Sequence, residues 1–328
     1  MIKKRSTAEA VLSELKDKHP LPELILSYRK LYKLKNTYLD PLPSYIVADT
    51  KRVHSSFNQT MTATGRLSTS SPNFQNIPIR TEDGKEIRKA IKAQSNEYQI
   101  FSADYSQVEL RVMAHLSGDE SLISALNNGE DIHTFTAKNI FNVDNDDMVL
   151  PEMRRIAKIV NFGIMYGAGP FRLSQELDIP FGEAKQIKDA YFQKYRGIEQ
   201  YIENSKLQIK ETKSVETLLG RKRAVWDSDS QNKIRRDAAE RMAINMPIQG
   251  TAAEMIKLAM IKIHRQINKE NLKSKLIMQI HDELLLEVHQ DEIDYISKMV
   301  IEHMRNAMKL DVPIEIDFGI GPSWYEAH

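Results

Sequence analysis

Apolar residues recur every three or four positions through residues 6–40, a spacing that predicts helices. The run His19-Pro20-Leu21-Pro22 predicts a break that divides this stretch into two helices. Ser6 and Thr7, which precede Glu9, predict the cap of the first helix. The second helix is expected to be amphipathic and basic, with cations at Arg29, Lys30, Lys33 and Lys35.

Residues 53–80 are crowded with Ser, Thr, Asn and Gln and lack an apolar face, which predicts extended segments and loops. The apolar run YQIFSADY at 98–105 has a period of two and predicts a strand. The next segment predicts a helix that ends near Gly118. Asp104 is therefore expected where a strand passes into a helix.

Residues 119–225 are expected to be mainly helical, with one helix that begins at Pro151 and ends near Gly167. A long helical region is predicted over 235–268, interrupted at Met246-Pro247. The segment 273–289 has two apolar arms around His281-Asp282-Glu283, which predicts a hairpin with acids at its tip. A helix and then a strand complete the pattern. Because the strands lie in the outer parts of the chain and the middle is helical, the predicted class is α+β.

The composition of the chain excludes several kinds of site. The chain of 328 residues is long enough for about two domains. It contains no Cys, which excludes disulfides, thiolate catalysis and Cys-ligated metals, so any metal is expected on oxygen or His ligands. No apolar run is long enough for a membrane span or a signal core, and a cytoplasmic protein is expected.

The net charge of +1 conceals an asymmetry. From His281 onward there are 11 acidic and 3 basic residues, whereas residues 1–280 carry 34 acidic and 43 basic ones. A basic body with an acidic end fits a protein that binds a polyanion and needs carboxylates for its chemistry. Uneven solvated surface charge explains the counts equally well, so motifs must decide.

The predicted helix after Pro151 carries Arg154, Lys158, Phe162 and Tyr166 at intervals of four, a stripe of about 18 Å at about 1.5 Å per residue. Two cations followed by two aromatic rings fit a nucleotide lying along the helix, with its phosphates on the cations and its base on a ring. The alternative is an ordinary amphipathic helix with core aromatics and solvated cations.

Asp104 and Asp282 are candidates for a pair of metal-binding carboxylates. Phosphoryl transfer between nucleotides is commonly assisted by two Mg²⁺ ions about 3.5–4 Å apart, which two bridging carboxylates can hold. Strand ends position such side chains better than loops do. The alternatives are a helix-capping role for Asp104 and a turn role for Asp282.

Five segments considered together resemble, in order and spacing, the polymerase region of bacterial family A DNA polymerases. These segments are 62–80 (TATGRLSTSSPNFQNIPIR), 104–111 (DYSQVELR), 154–167 (RRIAKIVNFGIMYG), 245–257 (NMPIQGTAAEMIK) and 279–288 (QIHDELLLEV). The resemblance covers nearly the whole chain.

The resemblance implies a right-hand polymerase with an antiparallel-sheet palm, helical fingers and a helical thumb. The thumb would lie in residues 1–45, the palm in 46–115 and 230–328, and the fingers in 116–229. The thumb resembles only the later portion of the family's thumb. Weak grip on the duplex, distributive synthesis, loss of affinity with rising salt and no proofreading or 5′-nuclease activity are therefore expected.

The resemblance also implies roles for individual residues. Asp104, Asp282 and the backbone carbonyl of Tyr105 would bind two Mg²⁺ ions, for which Mn²⁺ can substitute, with Glu283 in support. Lys158 would also donate a proton to departing pyrophosphate. Contacts to the deoxynucleoside triphosphate are implied for Arg154, Lys158, Phe162, Tyr166, Glu109, Gln107 and His133. Contacts to primer–template DNA are implied for Arg66, Asn73, Gln75, Arg241, Asn245, Gln249 and His281.

Two expectations concern the sugar of the substrate. Glu109, with Tyr166 and Phe162, would close the space that a ribose 2′-hydroxyl needs, so deoxynucleotides are the expected substrate. Members of the family carry Phe or Tyr at the position of Phe162, and Phe lacks the hydroxyl that accompanies easy acceptance of dideoxynucleotides. Discrimination against dideoxynucleotides is therefore expected.

Three rival functions remain open on the sequence. A metal-dependent nuclease would also use paired acids, although it would not need the cation-and-aromatic stripe. A nucleic-acid-binding module without activity and an RNA-synthesising or reverse-transcribing relative are the others. In the favoured interpretation the protein is a monomer that associates with the bacterial nucleoid during synthesis.

Overall fold

The computed structural model describes residues 6–78 and 81–328. The first elements are helices α1 (Glu9–Leu15) and α2 (Pro20–Leu34). Helix α2 continues into a π-helical turn, which is followed by a short 3₁₀ helix, Leu42–Tyr45. The predicted cap of α1 was wrong, since Ala8 is the N-cap residue and no side chain caps the helix. Thr7 instead accepts hydrogen bonds from Arg29 of α2, one of them to the Thr7 hydroxyl at 3.0 Å.

The break between the two helices lies earlier than predicted, at residues 16–19. Pro20 and Pro22 lie in the first turn of α2, where proline is tolerated because the first backbone N–H groups have no helical partner. The His19 side chain accepts a hydrogen bond from the Leu21 N–H at 3.1 Å and so caps this helix.

The polar stretch after residue 53 is mostly irregular, as predicted. Strands β1 (Ser56–Asn58) and β2 (Ser68–Ser70) form a small antiparallel pair, followed by a 3₁₀ turn at Phe74–Asn76. The predicted stretch extends to residue 80, and residues 79 and 80 lie outside the described residues. Helix α3 (Glu82–Glu86) and the 3₁₀ helix Ile87–Ala90 lead to the next strand.

Strand β3 (Tyr98–Tyr105) and helix α4 (Val108–Ser117) confirm the predicted strand-to-helix transition, with Gly118 as the helix cap. Six helices follow and confirm the helical middle of the chain. They are α5 (Glu120–Asn127), α6 (Ile132–Phe141), α7 (Pro151–Met165), α8 (Pro170–Leu177), α9 (Phe181–Lys194) and α10 (Arg196–Thr212). A hairpin that the sequence did not predict, β4 (Ser214–Glu216) with β5 (Lys222–Ala224), ends this region.

Helix α11 runs without interruption from Lys233 to Lys269, so the predicted break at Met246-Pro247 was wrong. Pro247 is buried inside the helix and has no N–H to donate. The Tyr201 hydroxyl from α10 donates to the Ile244 carbonyl at 3.2 Å, in the turn that precedes the proline. Burial along most of the middle of α11 keeps the helix continuous despite the missing hydrogen bond.

The central sheet is antiparallel throughout. It contains β6 (Lys275–Ile280), β7 (Glu283–His289), β3 and β8 (Ile316–Gly321) in the order β6-β7-β3-β8. Helix α12 (Ile293–Arg305) connects β7 to β8. The strands of this sheet come from both sides of the helical middle of the chain, which confirms the α+β class.

Both faces of the sheet are covered. Phe101, Leu284 and Leu286 belong to the large core that α4, α11 and α12 also enter. Ile100, Leu285 and Trp324 lie in a second core on the opposite face. Strand β7 is buried on both sides, and its apolar residues Leu284, Leu285 and Leu286 are consecutive instead of alternating.

None of the helices in residues 6–78 and 81–328 is long and apolar enough to span a lipid bilayer.

Packing at the start of α10 gives a test of the fold. A Cβ on Gly197 would lie 2.7 Å from the Asp119 Cα, and the Gly197 N–H donates to the Asp119 side chain at 2.8 Å. We expect Gly197→Ala to lower the free energy of unfolding by about 1–3 kcal/mol, measured by urea denaturation. Gly182→Ala, in α9 with open space around it, is the control and should be neutral or stabilising by up to about 1 kcal/mol. Equal destabilisation by both substitutions would contradict this packing.

Candidate active site

Two distant acids meet where β3 ends and the β6–β7 hairpin turns. Asp104 of β3 lies opposite Glu283 of β7 in the strand register. The Tyr105 N–H donates to the Asp282 carbonyl at 3.2 Å, which fixes the hairpin turn against the end of β3. His281, the first residue of this two-residue turn, has a φ of 55°, a left-handed conformation that is uncommon outside glycine. The predicted hairpin, with its acids at the tip, is confirmed.

The electrostatics of this cluster favour a bound cation. Burial, together with the charges of Asp282, Glu283 and Asp317, raises the pKa of Asp104 to about 8. Burial also raises the pKa of Asp282. Within the described residues, Asp104 Oδ1 is buried and has no hydrogen-bond partner. A positive ion would stabilise both ionised carboxylates.

The donor set fits a hard divalent ion. Carboxylate and carbonyl oxygens are the ligands that Mg²⁺ and Mn²⁺ prefer. Across residues 6–78 and 81–328, no three His, Asp or Glu side chains are grouped so as to hold a metal. Asp104 and Asp282 therefore offer only part of an octahedral set, and phosphate oxygens and water would have to complete it.

Glu283 is held rigidly behind the aspartates. Ser102 donates to Glu283 Oε1 at 2.6 Å, the Trp324 indole N–H donates to the same oxygen at 2.7 Å, and His328 Nδ1 lies 3.4 Å from it. Burial alone would raise the pKa of Glu283, but these contacts hold it below its ordinary value. The sequence did not indicate these three partners, because no local pattern connects them to Glu283.

The stripe on α7 forms as predicted. Arg154 and Lys158 are exposed, whereas Phe162 and Tyr166 are half-buried, with stacked rings whose centroids lie 6.3 Å apart. Tyr166 is the C-cap residue of α7, so the stripe ends where the helix ends. The structure thus presents two cations and two ring faces along one side of a helix.

Arg154 already has an anionic partner. Its guanidinium donates two hydrogen bonds to Asp131, at 3.2 and 2.7 Å. Asp131 is also the N-cap of α6, where it accepts from the Thr134 N–H at 2.7 Å. The sequence analysis missed Asp131, although an Asp directly before a predicted helix is a capping signal that could have drawn attention to it.

His133 lies inside the protein next to this stripe. It is only 3% exposed, its Nδ1 lies 3.1 Å from the Asn161 side-chain nitrogen, and its ring centroid is 5.7 Å from that of Phe162. Burial lowers the pKa of His133 to about 4, and the nearby charges of Arg154 and Lys158 also lower it. The imidazole is therefore neutral at pH 7 and supports the Phe162 ring from behind.

Glu109 joins three parts of the site. This buried carboxylate of α4 pairs with Arg66 and accepts a hydrogen bond from the Tyr166 hydroxyl. Gln107, the N-cap residue of α4, lies two residues before Glu109 and has a left-handed φ of 52°. The loop around Arg66, the start of α4 and the end of α7 are thus fixed to one another.

The predicted DNA contacts on α11 share one face. Arg241, Asn245 and Gln249 follow one another at intervals of four. Gly167, just beyond α7, packs against Arg241, and Gly250 approaches the Thr64 carbonyl. Asn245 Oδ1 is buried and without a hydrogen-bond partner among the described residues.

The remaining predicted DNA contacts are only partly brought together. Gln75 donates to the side chain of Gln279 at 3.3 Å, and Gln279 in turn donates to the His281 carbonyl. Asn73 also has a local role, since its side chain accepts from the Gln75 N–H at 3.1 Å and caps the 3₁₀ turn. Gln279 was missed by the sequence analysis.

Comparison with known proteins identifies the family. The model of DNA polymerase family A matches residues 1–326. The chain belongs to DNA polymerase family A. This confirms the resemblance that the five sequence segments indicated.

Relatives within the family cover nearly all of this chain. It is 50% identical over 324 residues to the thermostable DNA polymerase I of Thermus filiformis and 47% identical over 322 residues to DNA polymerase I of Bacillus subtilis. These alignments cover 99% and 98% of this chain but only 38% and 36% of the relatives, so the chain spans less than two fifths of their length.

A solved structure also matches throughout. The polymerase domain of Pol1 from M. smegmatis, described as a complex with DNA primer–template and dNTP, superposes with a TM-score of 0.94 at 43% identity. The match covers 100% of this chain and 57% of that one. The right-hand polymerase fold predicted from the sequence is thereby confirmed.

The buried imidazole predicts an acid-sensitive fold. The folded protein resists protonation of His133 while the unfolded chain accepts a proton near pH 6.5, so stability should fall as the pH is lowered from about 6.5 to about 4. Over this pH range, we expect His133→Gln to reduce the loss in the free energy of unfolding by up to about 3 kcal/mol, measured by urea denaturation. His264→Gln, at an exposed position of α11, is the control. An unchanged acid dependence in His133→Gln would contradict the assignment.

Proposed function

We propose that this chain catalyses template-directed DNA synthesis, adding deoxynucleotides to a primer 3′-hydroxyl with release of pyrophosphate. The observation that carries the proposal is the meeting of Asp104 and Asp282, two half-buried carboxylates whose pKa values are raised by burial, in a family A chain. The relative solved with primer–template and dNTP supports the same substrates for this chain.

The proposed domains follow the elements. Residues 46–115 and 230–328 form the palm, because the central sheet takes strands from both. Residues 116–229 form the fingers, which are mostly helical and include the α7 stripe. Residues 1–45 belong to the thumb, and the described part of them contains α1, α2 and the short helices that follow.

Asp104 and Asp282 would hold two Mg²⁺ or Mn²⁺ ions, with the backbone carbonyl of Tyr105. Such ions, when bound, lower the pKa of an attacking hydroxyl and neutralise charge on the phosphates. Glu283 supports this site from the neighbouring strand position, and the hydrogen bonds from Ser102 and Trp324 keep its carboxylate from turning away.

Arg154 and Lys158 would bind the triphosphate. Arg154 must first release Asp131, and the more highly charged triphosphate is the stronger competitor for the guanidinium. Lys158 is the candidate donor of a proton to the departing pyrophosphate. The rings of Phe162 and Tyr166 offer a face on which the base stacks, with His133 behind Phe162.

Glu109 would select the sugar. Its carboxylate is fixed by Arg66 and Tyr166, so it cannot move aside to admit a ribose 2′-hydroxyl. Gln107, at the start of the same helix, is a further contact to the nucleotide.

Polar side chains around α11 and the hairpin would contact the minor groove of the primer–template. Hydrogen-bond acceptors occur there at every base pair, so donors can test pairing geometry without reading sequence. The proposed minor-groove contacts are Arg66, Asn245, Gln249 and His281. Arg241, Asn73 and Gln75 are proposed as further contacts to the DNA.

The aspartates provide the main test. We expect Asp104→Asn and Asp282→Asn each to slow primer extension with Mg²⁺ by about a thousandfold or more, since several kcal/mol of charge stabilisation are lost. Metal-free thermal stability should be unchanged or higher, because each substitution removes a charge that burial disfavours. Extension of a labelled primer on a template and calorimetry of the same samples measure the two effects.

Asp317→Asn is the matched control, since Asp317 lies opposite Asp104 on β8 but is exposed. We expect it to retain activity within about tenfold, because Asp317 is exposed and its charge affects the pKa of Asp104 less than the charges of Asp282 and Glu283 do. Shortening of the primer in place of lengthening would favour the nuclease and overturn the proposal. Full extension by either Asp104→Asn or Asp282→Asn would overturn the roles proposed for them.

Phe162 gives a second test. We expect the protein to incorporate dideoxynucleotides poorly and Phe162→Tyr to raise their incorporation relative to deoxynucleotides by more than about tenfold, the effect of one added hydrogen bond to a charged group. Single-nucleotide incorporation kinetics measure this ratio. Phe181→Tyr adds the same hydroxyl to an exposed ring on α9 and should leave the ratio unchanged. Equal use of both sugars by the unmodified protein would contradict the role of Phe162.

A further inference from the structure

Arg88 is a buried cation with no ordinary partner. It lies in the 3₁₀ helix Ile87–Ala90 and is only 2% exposed. Within residues 6–78 and 81–328, none of its three guanidinium nitrogens has a hydrogen-bond partner. Burying an unpaired charge costs several kcal/mol, and an arginine does not lose its proton to avoid that cost. A compensating interaction is therefore required.

The Trp324 ring and the nearby acidic residues Glu283 and Asp104 compensate the charge of Arg88. The Arg88 guanidinium carbon lies 3.9 Å from the centroid of the fully buried Trp324 ring, and the indole N–H donates to Glu283 at 2.7 Å. Glu283 lies opposite Asp104, whose Oδ1 is also buried and unpaired. Burial lowers the pKa of Arg88, and the charges of Glu283 and Asp104 act on it in the opposite direction. The cation and the acids thus stabilise one another across the indole.

We propose that Arg88 is an internal countercharge for the acidic cluster of Asp104, Asp282 and Glu283: it stabilises these carboxylates before a divalent ion binds and thereby weakens the affinity of the cluster for the ion. The proposal rests on the proposed function for the identity of the ion. It is distinct from a packing role, because a fixed positive charge repels an arriving cation while a packing residue does not. Trp324 sets the position of this charge.

The sign of the effect on metal affinity provides the test. In the full chain, without DNA or nucleotide, Mn²⁺ binding is measured by electron paramagnetic resonance at pH 9, where protons compete least. We expect Arg88→Met to bind Mn²⁺ about tenfold more tightly, because removal of one nearby positive charge deepens the negative potential at the site. Arg88→Lys keeps the charge and should bind within about threefold of the unmodified protein.

Thermal unfolding gives a second readout that separates charge from packing. Without metal, Arg88→Met should unfold at a lower temperature than the unmodified protein, and saturating Mn²⁺ should narrow this gap, since the ion replaces the lost countercharge. Lys89→Met is the matched control: Lys89 is the adjacent cation, pairs with Glu86 and lies over the Tyr325 ring. Lys89→Met should leave the Mn²⁺ affinity unchanged, and Mn²⁺ should not alter the difference in unfolding temperature between this variant and the unmodified protein.

The outcomes are distinguishable. If the unmodified protein binds no Mn²⁺, the metal site of the proposed function fails, and this proposal fails with it. If it binds Mn²⁺ but Arg88→Met binds equally or more weakly, and the loss in unfolding temperature is the same with and without metal, Arg88 is structural and only the countercharge is overturned. Should Arg88→Met not fold, Arg88→Gln, which preserves hydrogen-bonding capacity, is judged by the same criteria.

Discussion

The pairing of β3 with β7 is the constraint on which the rest of the site depends. It places Asp104 opposite Glu283, and the hydrogen bond from Tyr105 to Asp282 closes the turn against the same strand end. Three carboxyl groups are thereby held close together in a poorly solvated place. The loss of water on burial is the main cause of the strongly raised pKa of Asp104, and repulsion between these like charges raises it further.

The fold tolerates this concentration of charge because its surroundings are rigid. Apolar cores cover both faces of the sheet, so the strands cannot separate to relieve the repulsion. On one side, Ser102, Trp324 and His328 fix Glu283, and on the other, Arg66 and Tyr166 fix Glu109. The acids are positioned by groups from distant parts of the chain, which is how a site stays preorganised without a ligand.

Local patterns predicted those parts of the fold that local physics determines. The apolar run of β3, the two arms of the β6–β7 hairpin and the proline and glycine that bound α7 are properties of short segments, and each formed where expected. The four-residue stripe on α7 followed from helix geometry alone. The roles of the individual site residues came from the family resemblance and remain predictions.

Long-range contacts account for what the sequence did not indicate. Helix α11 is not interrupted at Pro247 because burial outweighs one missing hydrogen bond. Thr7 does not cap α1 because it accepts hydrogen bonds from Arg29 instead. The β4–β5 hairpin is too short to leave a period in the sequence, and the packing of Val215 and Val225 in a small core stabilises it. The partners of Glu283 lie in other segments that no spacing rule connects.

The proline within α11 has a mechanical consequence. This helix contacts α10 and the β4–β5 hairpin as well as α4, α12 and β6, so one rod links the helical middle of the chain to the sheet. A rod lacking one backbone hydrogen bond is most compliant at that turn. Bending of this helix would therefore concentrate beside Pro247, next to the carbonyl of Ile244 to which Tyr201 donates.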